Sequence, residues 1–440
     1  MSGVSHTIDR LDVTFDDPSL VANAGLIVPA TVMARLGLES VVDQMVGLFR
    51  RTGGWLPGRK IATLVATILA GGTHIDHANM LRSGATQRVL PFRVMAPSTL
   101  GTFLRSFTFG HIRQLDRVCG EMLRRAWETN AGPGDNRLVV DLDSTICEVH
   151  GDHKQGAAYG YTRQLGLHPL LAVRADTGEI LHSRLRKGSS QRGHRKFVQE
   201  LVARIRRAGV SGHIGVRADS GFWSWELIDT FTRLEVGWSI TVAQNSGIRK
   251  AIAAIDESEW FPIDYTLGGV AQVADTLYTT GRGKQQRTVR LVVRRTRLVG
   301  KQAELWPNWR HHAFITSATD ISAMEADLFH RAHASIELGI RDLKEGSGLE
   351  HLPSGHFAAN GAWLVCAVLA HNFIRWTTTI GAIRDNALVV ARTIRTRIIS
   401  IAGRVVNRSG RPTLRLPAQW PWATTFECAL ERTRQLPNAA

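Results

Sequence analysis

The chain has 440 residues, with 54 Lys and Arg against 38 Asp and Glu, a formal net charge of +16 and a pI near 10.6. A chain of this length is too long for one simple core, so we expect roughly two or three domains. The positive excess favours a polyanionic partner such as nucleic acid, and arginine, which dominates it, suits phosphate groups. A soluble basic protein with a solvated surface is the alternative that composition leaves open.

The four cysteines are scattered along the chain without a C-x-x-C pair. Their spacing argues against a disulfide framework and a zinc knuckle, and it predicts a reducing, cytoplasmic location. The first residues lack the basic-then-apolar pattern of a signal peptide. The longest apolar run, 362–370, is too short to span a bilayer, so we expect a buried core helix there and no membrane association.

The first part of the chain, 1–130, is predicted to be mostly helical. Apolar spacing and capping residues predict helices over 59–70, 75–81, 98–105 and 106–129, and Ala131-Gly-Pro-Gly-Asp135 marks a break. Three short helices of this kind could form a helix-turn-helix-like reader, so we interpret 1–130 as a DNA-binding domain. An ordinary helical bundle is the alternative.

From residue 137 the pattern changes to strands. Apolar runs bounded by turn residues predict strands over 138–142, 165–175, 179–185, 213–218 and 237–242, with helices near 197–205 and over 223–234. The order is three strands, helix, strand, helix, strand. It predicts an α/β fold with a ribonuclease-H-like mixed sheet, a catalytic domain formed by 131–245 and 316–378.

Residues 246–315 do not continue this layout. Strands are expected over 270–279 and 287–298, joined by the turn Gly281-Arg-Gly-Lys284, with Trp260, Trp306 and Trp309 at the borders. We interpret this segment as a β-rich insertion. Helices are expected from residue 323. Residues 379–440 form a basic C-terminal region with repeated arginines, in which Asp385 is the single acid before Pro417.

Three acidic residues stand in positions that suit catalysis. Asp143 and Asp219 lie where apolar strands end in Ser, Thr or Gly, and Glu337 lies in a helical stretch. Carboxylates from two strand ends and one helix can converge on a pair of divalent cations, which can drive phosphoryl transfer on nucleic acid. Asp141 points to the same side of its strand, but Asp143 is nearer the end, where ligands gather. Asp219 could also be a simple turn or helix cap.

The neighbours of Glu337 suggest a phosphate-handling surface. In one continuous helix, residues at intervals of three or four share a face, which would carry His330, His333, Glu337, Arg341 and Lys344. We predict that its histidines and cations contact DNA beside a metal-binding carboxylate. A solvated charged stripe is the alternative.

A second basic group lies in the loop and helix start after the third strand. It consists of Arg186, Lys187, Arg192, Arg195 and Lys196. Contact with the DNA backbone is plausible for such a group, and phosphate contacts of this kind carry no sequence information.

Several of these motifs resemble a known family. Asp143-Ser-Thr145, Arg217-Ala-Asp-Ser-Gly-Phe222 and the surroundings of Glu337 resemble the Asp-Asp-Glu transposases of bacterial insertion sequences, and more narrowly the family called IS-thirteen-eighty. Further similar segments are Leu167-His-Pro-Leu-Leu171, Gly178-Glu179, 352–364 and Leu369-Ala-His-Asn372. The third motif of that family is Tyr-x2-Arg-x3-Glu-x6-Lys. Glu337 and Lys344 match it, whereas His330 and His333 replace its Tyr and Arg.

The resemblance implies a ribonuclease-H-like core with a β insertion and two Mg²⁺ ions, for which Mn²⁺ can substitute. Asp143, Asp219 and Glu337 would be the catalytic metal ligands. Water would attack at the end of a DNA element to free a 3′ hydroxyl, which then attacks target DNA in cut-and-paste transposition. The implied partners are double-stranded DNA, namely the terminal inverted repeats and the target, and a second copy of the chain in the DNA complex. The implied location is the bacterial cytoplasm, at the nucleoid.

Two other functions remain open at this point. One is a catalytically decayed transposase that binds element ends without cutting, and the other is a structure-selective nuclease on the same fold. The complete acid triad favours the transposase over the decayed form.

Overall fold

The computed structural model describes residues 11–48, 50–151, 153–160, 163–265, 269–281, 286–297, 309–383 and 390–438. A short strand and six helices come first: β1 (Leu20–Val21), α1 (Ile27–Arg35), α2 (Leu38–Met45), α3 (Pro57–Leu69), α4 (Ala78–Arg82), α5 (Pro97–Arg105) and α6 (Phe109–Ala126). The predicted helices over 59–70, 98–105 and 106–129 are confirmed as α3, α5 and α6. The predicted helix over 75–81 is a 3₁₀ turn followed by α4. Proline opens both α3 and α5, at a position where its missing N–H has no intrahelical partner to lose.

The middle of the chain alternates strands and helices. Its elements are β2 (Leu138–Ser144), β3 (Cys147–Glu148), β4 (Ala158–Tyr159), β5 (Leu165–Leu167), β6 (Leu170–Arg174), β7 (Ile180–Arg184), α7 (His194–Arg207), β8 (Ile214–Ala218), α8 (Trp225–Arg233) and β9 (Gly237–Thr241). β3, β5 and β4 form a separate small sheet, and the other strands belong to one large sheet. Strands β2, β6, β7, β8 and β9 with helices α7 and α8 reproduce the predicted succession.

The predicted single strand over 165–175 is wrong. The chain forms β5 up to Leu167, then leaves the small sheet and begins β6 in the large sheet at Leu170. Pro169 separates the two strands, and a proline cannot donate a ladder hydrogen bond. The apolar run over 165–175 thus contributes one strand to each of the two sheets.

The segment after β9 begins with a helix and then returns to strands: α9 (Ser246–Ala253), β10 (Phe261–Ile263), β11 (Val270–Thr280), β12 (Arg287–Arg297) and β13 (Arg310–Thr316). The predicted strands over 270–279 and 287–298 are confirmed as β11 and β12. β13 pairs antiparallel with β9, so β10 to β13 extend the large sheet rather than forming a separate one. The predicted turn at 281–284, apart from Gly281, and Trp306 lie outside the described residues.

The large sheet is mixed, with the order β10-β11-β12-β13-β9-β8-β2-β6-β7. β2, β8 and β9 are parallel to one another, while β6 is antiparallel to β2 and β7 is antiparallel to β6. β2 therefore lies in the interior of the sheet between β8 and β6. The residues at the C-terminal end of β2 therefore lie beside those at the C-terminal end of β8.

The last part of the chain is helical with one hairpin: α10 (Ala323–Arg331), α11 (Ile336–Gly346), α12 (Phe357–Ile380), α13 (Ala391–Ile394), β14 (Gly403–Arg408), β15 (Arg411–Arg415) and α14 (Ala423–Arg434). A 3₁₀ turn, Ala332–Ser335, separates α10 from α11. The hairpin β14–β15 pairs with β1 in a three-stranded sheet. Asp385 lies outside the described residues.

Helix α12 is the central helix of the fold. Its 24 residues are long and apolar enough to cross a membrane by length and composition, but 89% of its most apolar window is buried within the protein. The N-terminal helices α1, α3, α5 and α6 pack on it, as do β7 and α14. The prediction of a buried core helix is confirmed, although the helix is much longer than the apolar run that suggested it. One continuous hydrophobic core extends from Val21 to Ala429, across the predicted domain boundaries.

A buried carboxylate ties three parts of the core together. Glu179, 1% exposed, accepts hydrogen bonds from the indole N–H groups of Trp127 at 3.0 Å and Trp376 at 2.7 Å. Its second oxygen accepts from Arg174 at 2.9 Å. Trp127 follows α6, Arg174 ends β6 and Trp376 lies on α12. The Glu179 carboxylate thus links the N-terminal helices, the large sheet and α12 through hydrogen bonds.

We predict that Glu179→Gln lowers the free energy of unfolding by about 3–5 kcal/mol, because it leaves a buried guanidinium without its buried counter-charge. Urea denaturation would measure the change. Asp176→Asn is the matched control, since Asp176 pairs with the same Arg174 but its side chain is 64% exposed. We expect the control to cost less than about 1 kcal/mol. Equal losses in the two variants would contradict the role of Glu179.

Candidate active site

The register of the sheet places two predicted site residues side by side. β2 and β8 are parallel, and their last paired residues are Leu142 and Ala218. Asp143 is the next residue on β2 and Asp219 directly follows the end of β8, and both side chains are partly buried. Asp143 Oδ1 accepts from the Ser144 N–H at 2.6 Å. Asp219 Oδ1 accepts from the Gly221 N–H at 3.1 Å, so Asp219 is also the turn cap that the sequence allowed as its alternative.

Glu337, the third predicted acid, lies on helix α11 next to the end of β2. It lies in the first turn of α11 and is exposed. A cavity of about 340 Å³ lies between the end of β2 and α11, lined by Asp143, Ser144, Thr145, Glu337, Ile340, Arg341, Lys344, Glu345 and Glu350. The structure therefore brings Asp143 and Glu337 to one cavity, with Asp219 beside Asp143 on the neighbouring strand rather than among the lining residues.

The predicted row of five residues on one helix face is wrong, because the chain does not form one helix there. His330 lies on α10, His333 lies in the 3₁₀ turn, and Glu337 belongs to α11. Within α11, Glu337, Arg341 and Lys344 keep the predicted spacing.

His330 turns into the protein rather than toward the cavity. It is 3% exposed, stacks on Phe314 and hydrogen bonds to Ser239 and Thr241 of β9. Burial lowers its pKa to about 2, so the ring is neutral. A ring in this position stabilises the packing of α10 on β9 and is not available to DNA.

His333 joins a buried ion pair beneath the site. Asp141, 1% exposed, receives two hydrogen bonds from Arg217, each of 2.7 Å, and a contact of 2.8 Å from His333 Nδ1. Arg217 also donates to the carbonyl of Phe329 at 2.9 Å. This network connects β2, β8 and the junction of α10 and α11. The choice of Asp143 over Asp141 therefore has a structural basis, since Asp141 is fully engaged in the core.

Asp143 is in the opposite electrostatic situation. Burial raises the pKa of Asp143 to about 6, and the carboxylates of Asp219 and Glu337 act in the same direction. Burial also raises the pKa of Asp219. His333 acts in the opposite direction on both aspartates, but among the described residues neither has an arginine partner of the kind that Asp141 has.

The arrangement fits hard divalent cations. Among the described residues, no group of three His, Cys, Asp or Glu side chains is close enough to hold a single ion. The register instead sets Asp143 beside Asp219 at the strand ends, and Asp143 lines one cavity with Glu337. Carboxylate oxygens are the ligands that Mg²⁺ and Mn²⁺ prefer, and a divalent charge would relieve the repulsion at Asp143.

Two cations of α11 lie on the same cavity. Arg341 is exposed, whereas Lys344 is half-buried and donates to the carbonyl of Ile146 at 3.1 Å. The ammonium group of Lys344 therefore sits just after β2, beside the acids. Both residues can contact an anionic substrate in the cavity.

The second basic group divides into buried and exposed members. Arg186 is 7% exposed and donates to the carbonyl of His168 at 3.1 Å and to that of Arg192, so the prediction that it contacts DNA does not fit its position. Lys187, Arg195 and Lys196 are exposed, and Arg195 pairs with Glu226 at 2.9 Å. Their DNA contact stays a prediction.

The sequence did not reveal one polar contact beside Asp143. His168 Nε2 lies 2.8 Å from Ser144 Oγ, and burial lowers the pKa of His168. Ser144 follows Asp143 directly and lines the cavity. The motif Leu167-His-Pro-Leu-Leu171 contains this histidine, but nothing in the spacing indicates that its ring reaches the end of β2.

The two aspartates of β2 should respond oppositely to replacement by asparagine. Well below pH 3.8, the ordinary pKa of this carboxyl group, Asp143 is protonated in both the folded and the unfolded protein. Asp143→Asn should therefore leave the free energy of unfolding nearly unchanged at such a pH. Between pH 3.8 and about 6 the unfolded chain loses the Asp143 proton while the folded protein keeps it, so the folded state is progressively disfavoured, and above about pH 6 the full penalty remains. At about pH 8 we therefore expect the variant to be up to about 2 kcal/mol more stable than the wild type.

Asp141→Asn is the matched comparison, and we expect it to destabilise by about 3–5 kcal/mol because Arg217 loses its buried partner. Urea denaturation with a metal chelator present would measure both variants at acidic and basic pH. A destabilised Asp143→Asn at basic pH would contradict the electrostatic description of the site.

Comparison with known proteins places the chain in a family. The family described as transposase DDE domain group 1 matches residues 5–438. No curated protein matches the chain. Among solved structures, it is similar to piggyBac transposase in a synaptic complex with hairpin DNA, with 11% identity and a TM-score of 0.45 over 86% of this chain and 79% of that chain. So distant a likeness says nothing of function. The family match extends over nearly the whole sequence, and this protein therefore belongs to the transposase DDE domain group 1 family.

Proposed function

We propose that this transposase binds the terminal inverted repeats of an insertion sequence, cuts the DNA with the help of divalent cations and joins the freed end to target DNA. One observation carries the proposal. Asp143 and Asp219 follow directly from the last register pair of two parallel strands, and Asp143 shares a cavity with Glu337. Asp141, two residues away, is neutralised in the core, whereas Asp143 is not.

The strand order supports a ribonuclease-H-like catalytic core. The five core strands lie in the spatial order β7-β6-β2-β8-β9, with β6 antiparallel to its neighbours and β2, β8 and β9 parallel. This is the arrangement expected when three sequential antiparallel strands are followed by two strands in right-handed crossovers. We propose further that the protein belongs to the IS-thirteen-eighty branch, because its long motifs resemble those of that family. His330 and His333 are departures from the third motif.

Each side chain has a role in the proposed reaction. Asp143 and Asp219 would hold one divalent cation and Asp143 and Glu337 a second; such ions polarise a phosphodiester and stabilise the charge that develops on it. Members of this type of family generally use divalent metals, and Mg²⁺ or Mn²⁺ suits these ligands. Arg341 and Lys344 would hold phosphates of the strand next to the acids.

The chemistry is two successive phosphoryl transfers. Water attacks the phosphodiester at the element end, and the bond to the 3′ oxygen breaks to leave a 3′ hydroxyl. That hydroxyl then attacks a phosphodiester of the target strand, so that a new bond to the phosphorus forms while the bond to the target's own 3′ oxygen breaks and leaves a 3′ hydroxyl on the target. Two element ends must be held together for both to be joined, so we expect a homodimer on DNA, acting in the bacterial cytoplasm.

We expect the purified protein to nick DNA that carries the terminal repeats when Mg²⁺ or Mn²⁺ is present. Asp143→Asn, Asp219→Asn and Glu337→Gln should each lower the rate by about a thousandfold or more, because each removes a ligand that stabilises transition-state charge. Rates would be measured on end-labelled duplexes containing one element end.

Glu345→Gln is the matched control, since Glu345 lies on the same helix, is exposed and lines the same cavity. Its rate should stay within a few-fold of the wild type. Equal cleavage by wild type and Asp143→Asn would overturn the site. Repeat binding without any cleavage would favour the decayed form, and cleavage without joining to a supplied target would favour a nuclease.

A further inference from the structure

The hairpin β14–β15 carries four arginines on one face. Its register pairs Arg404 with Arg415 and Arg408 with Arg411. The members of each strand are an even number of residues apart, and side chains alternate along a strand, so all four project to the same side. They are all exposed.

This placement is unfavourable for an isolated protein. Directly opposed residues on antiparallel strands have Cβ atoms roughly 5 Å apart, and like charges there destabilise the pair. Arg404 is compensated by Asp17 at 2.6 Å. Within the described part of the chain, Arg408, Arg411 and Arg415 have no acidic partner, and the sequence holds no acid from 386 to 426.

The rest of the hairpin is built to hold this face outward. On the opposite face Val405 is buried and Leu414 packs against the core. The backbone of β14 is paired with β1, and the Val405 N–H donates to the Ser19 carbonyl at 2.9 Å. The turn is a two-residue connection, Ser409 and Gly410, with φ of 50° and 80°, which matches the twist of a tight hairpin.

The spacing of the charges suits a nucleic-acid duplex. The two arginine pairs are four residues apart along each strand, which is about 14 Å in an extended chain. The major groove is about 12 Å wide and admits a two-stranded ribbon, so one pair can reach each rim of phosphates. Val406 and Thr413 lie between the pairs on the same face, without an aromatic ring that could stack on bases.

We propose that the hairpin β14–β15 is a second DNA-binding surface, which grips the phosphate backbone of a duplex without reading its sequence. This surface shares no residue with the proposed catalytic acids or with Arg341 and Lys344. The proposal rests on the proposed function only in taking DNA as the polyanion. Loss of repulsion between the arginine pairs on DNA binding adds to the phosphate contacts themselves.

The hairpin is also coupled mechanically to the catalytic helix. Arg395, a few residues before β14, donates to the carbonyl of Gly346 at the end of α11 and to that of Leu69 at 2.9 Å. The N–H of Ala391 donates to Asp342 of α11 at 2.8 Å. The segment that leads into the hairpin is therefore anchored to the helix that carries Glu337.

The test measures the salt dependence of DNA binding by the full chain, with a metal chelator present so that no cleavage occurs. Fluorescence anisotropy would follow binding to two labelled duplexes of equal length, one with a terminal repeat and one of unrelated sequence. Arg408→Gln/Arg411→Gln should flatten the slope of log affinity against log salt concentration by about 2, equally on both duplexes.

Two variants make the result specific. Arg432→Gln/Arg434→Gln removes two exposed arginines from α14 and should leave the slope unchanged. Arg408→Lys/Arg411→Lys keeps both charges and should retain most of the slope, which separates lost phosphate contacts from a disturbed hairpin. Thermal unfolding would confirm that each variant is folded.

A slope of Arg408→Gln/Arg411→Gln equal to that of the wild type would overturn the proposal, and so would an equal change in the α14 variant. A loss confined to the repeat duplex would show base recognition and overturn the claim of sequence-independent contact. Because the assay needs no cleavage, a protein that binds through the hairpin but never nicks DNA would refute the proposed function alone.

Discussion

The buried ion pair between Asp141 and Arg217 is the interaction on which the site depends. It joins β2 to β8 two residues before Asp143 and Asp219, and through His333 and the Phe329 carbonyl it also contacts the junction of α10 and α11. A buried pair of this kind is costly to desolvate and gives little net stability, but breaking it is severe. Its effect is positional: it sets Asp143 beside Asp219 and turns α11 toward them.

Asp141 and Asp143, two residues apart on β2, thus lie in opposite electrostatic environments. Asp141 is neutralised by an arginine, whereas Asp143 is partly buried beside like charges, which raises its pKa. The fold accepts an unfavourable charge at the position where a cation and a phosphate are expected. The hairpin β14–β15 has a similar arrangement of positive charge: its arginines lie opposite each other on two strands, and within the described residues only Arg404 has an acidic partner. Strain of this type is common at functional sites, because the ligand relieves it.

The rigid surroundings make such strain tolerable. Glu179 fastens the N-terminal helices, the sheet and α12 to one another through two indoles and a guanidinium. The hydrophobic core is continuous across the segments that composition divides, so the helices before the sheet and those after it form one packed body around α12. The elements of the candidate active site therefore pack within the whole core rather than against the sheet alone.

The sequence by itself determined the strands and helices whose periodicity is strong and the order of strands and helices in the core sheet, since these rest on local pattern. The preference for Asp143 over Asp141 as a metal ligand stays a prediction. The sequence did not determine the break at Pro169, the turn that separates His330 and His333 from Glu337, or the burial of Arg186. Those depend on what each segment packs against: His330 matches a helical spacing as well as Glu337 does, but the Phe314 ring and the β9 hydroxyls draw it inward. Only the tertiary structure decided which polar residues face the cavity, because burial and pairing are set by long-range contacts that no local spacing contains.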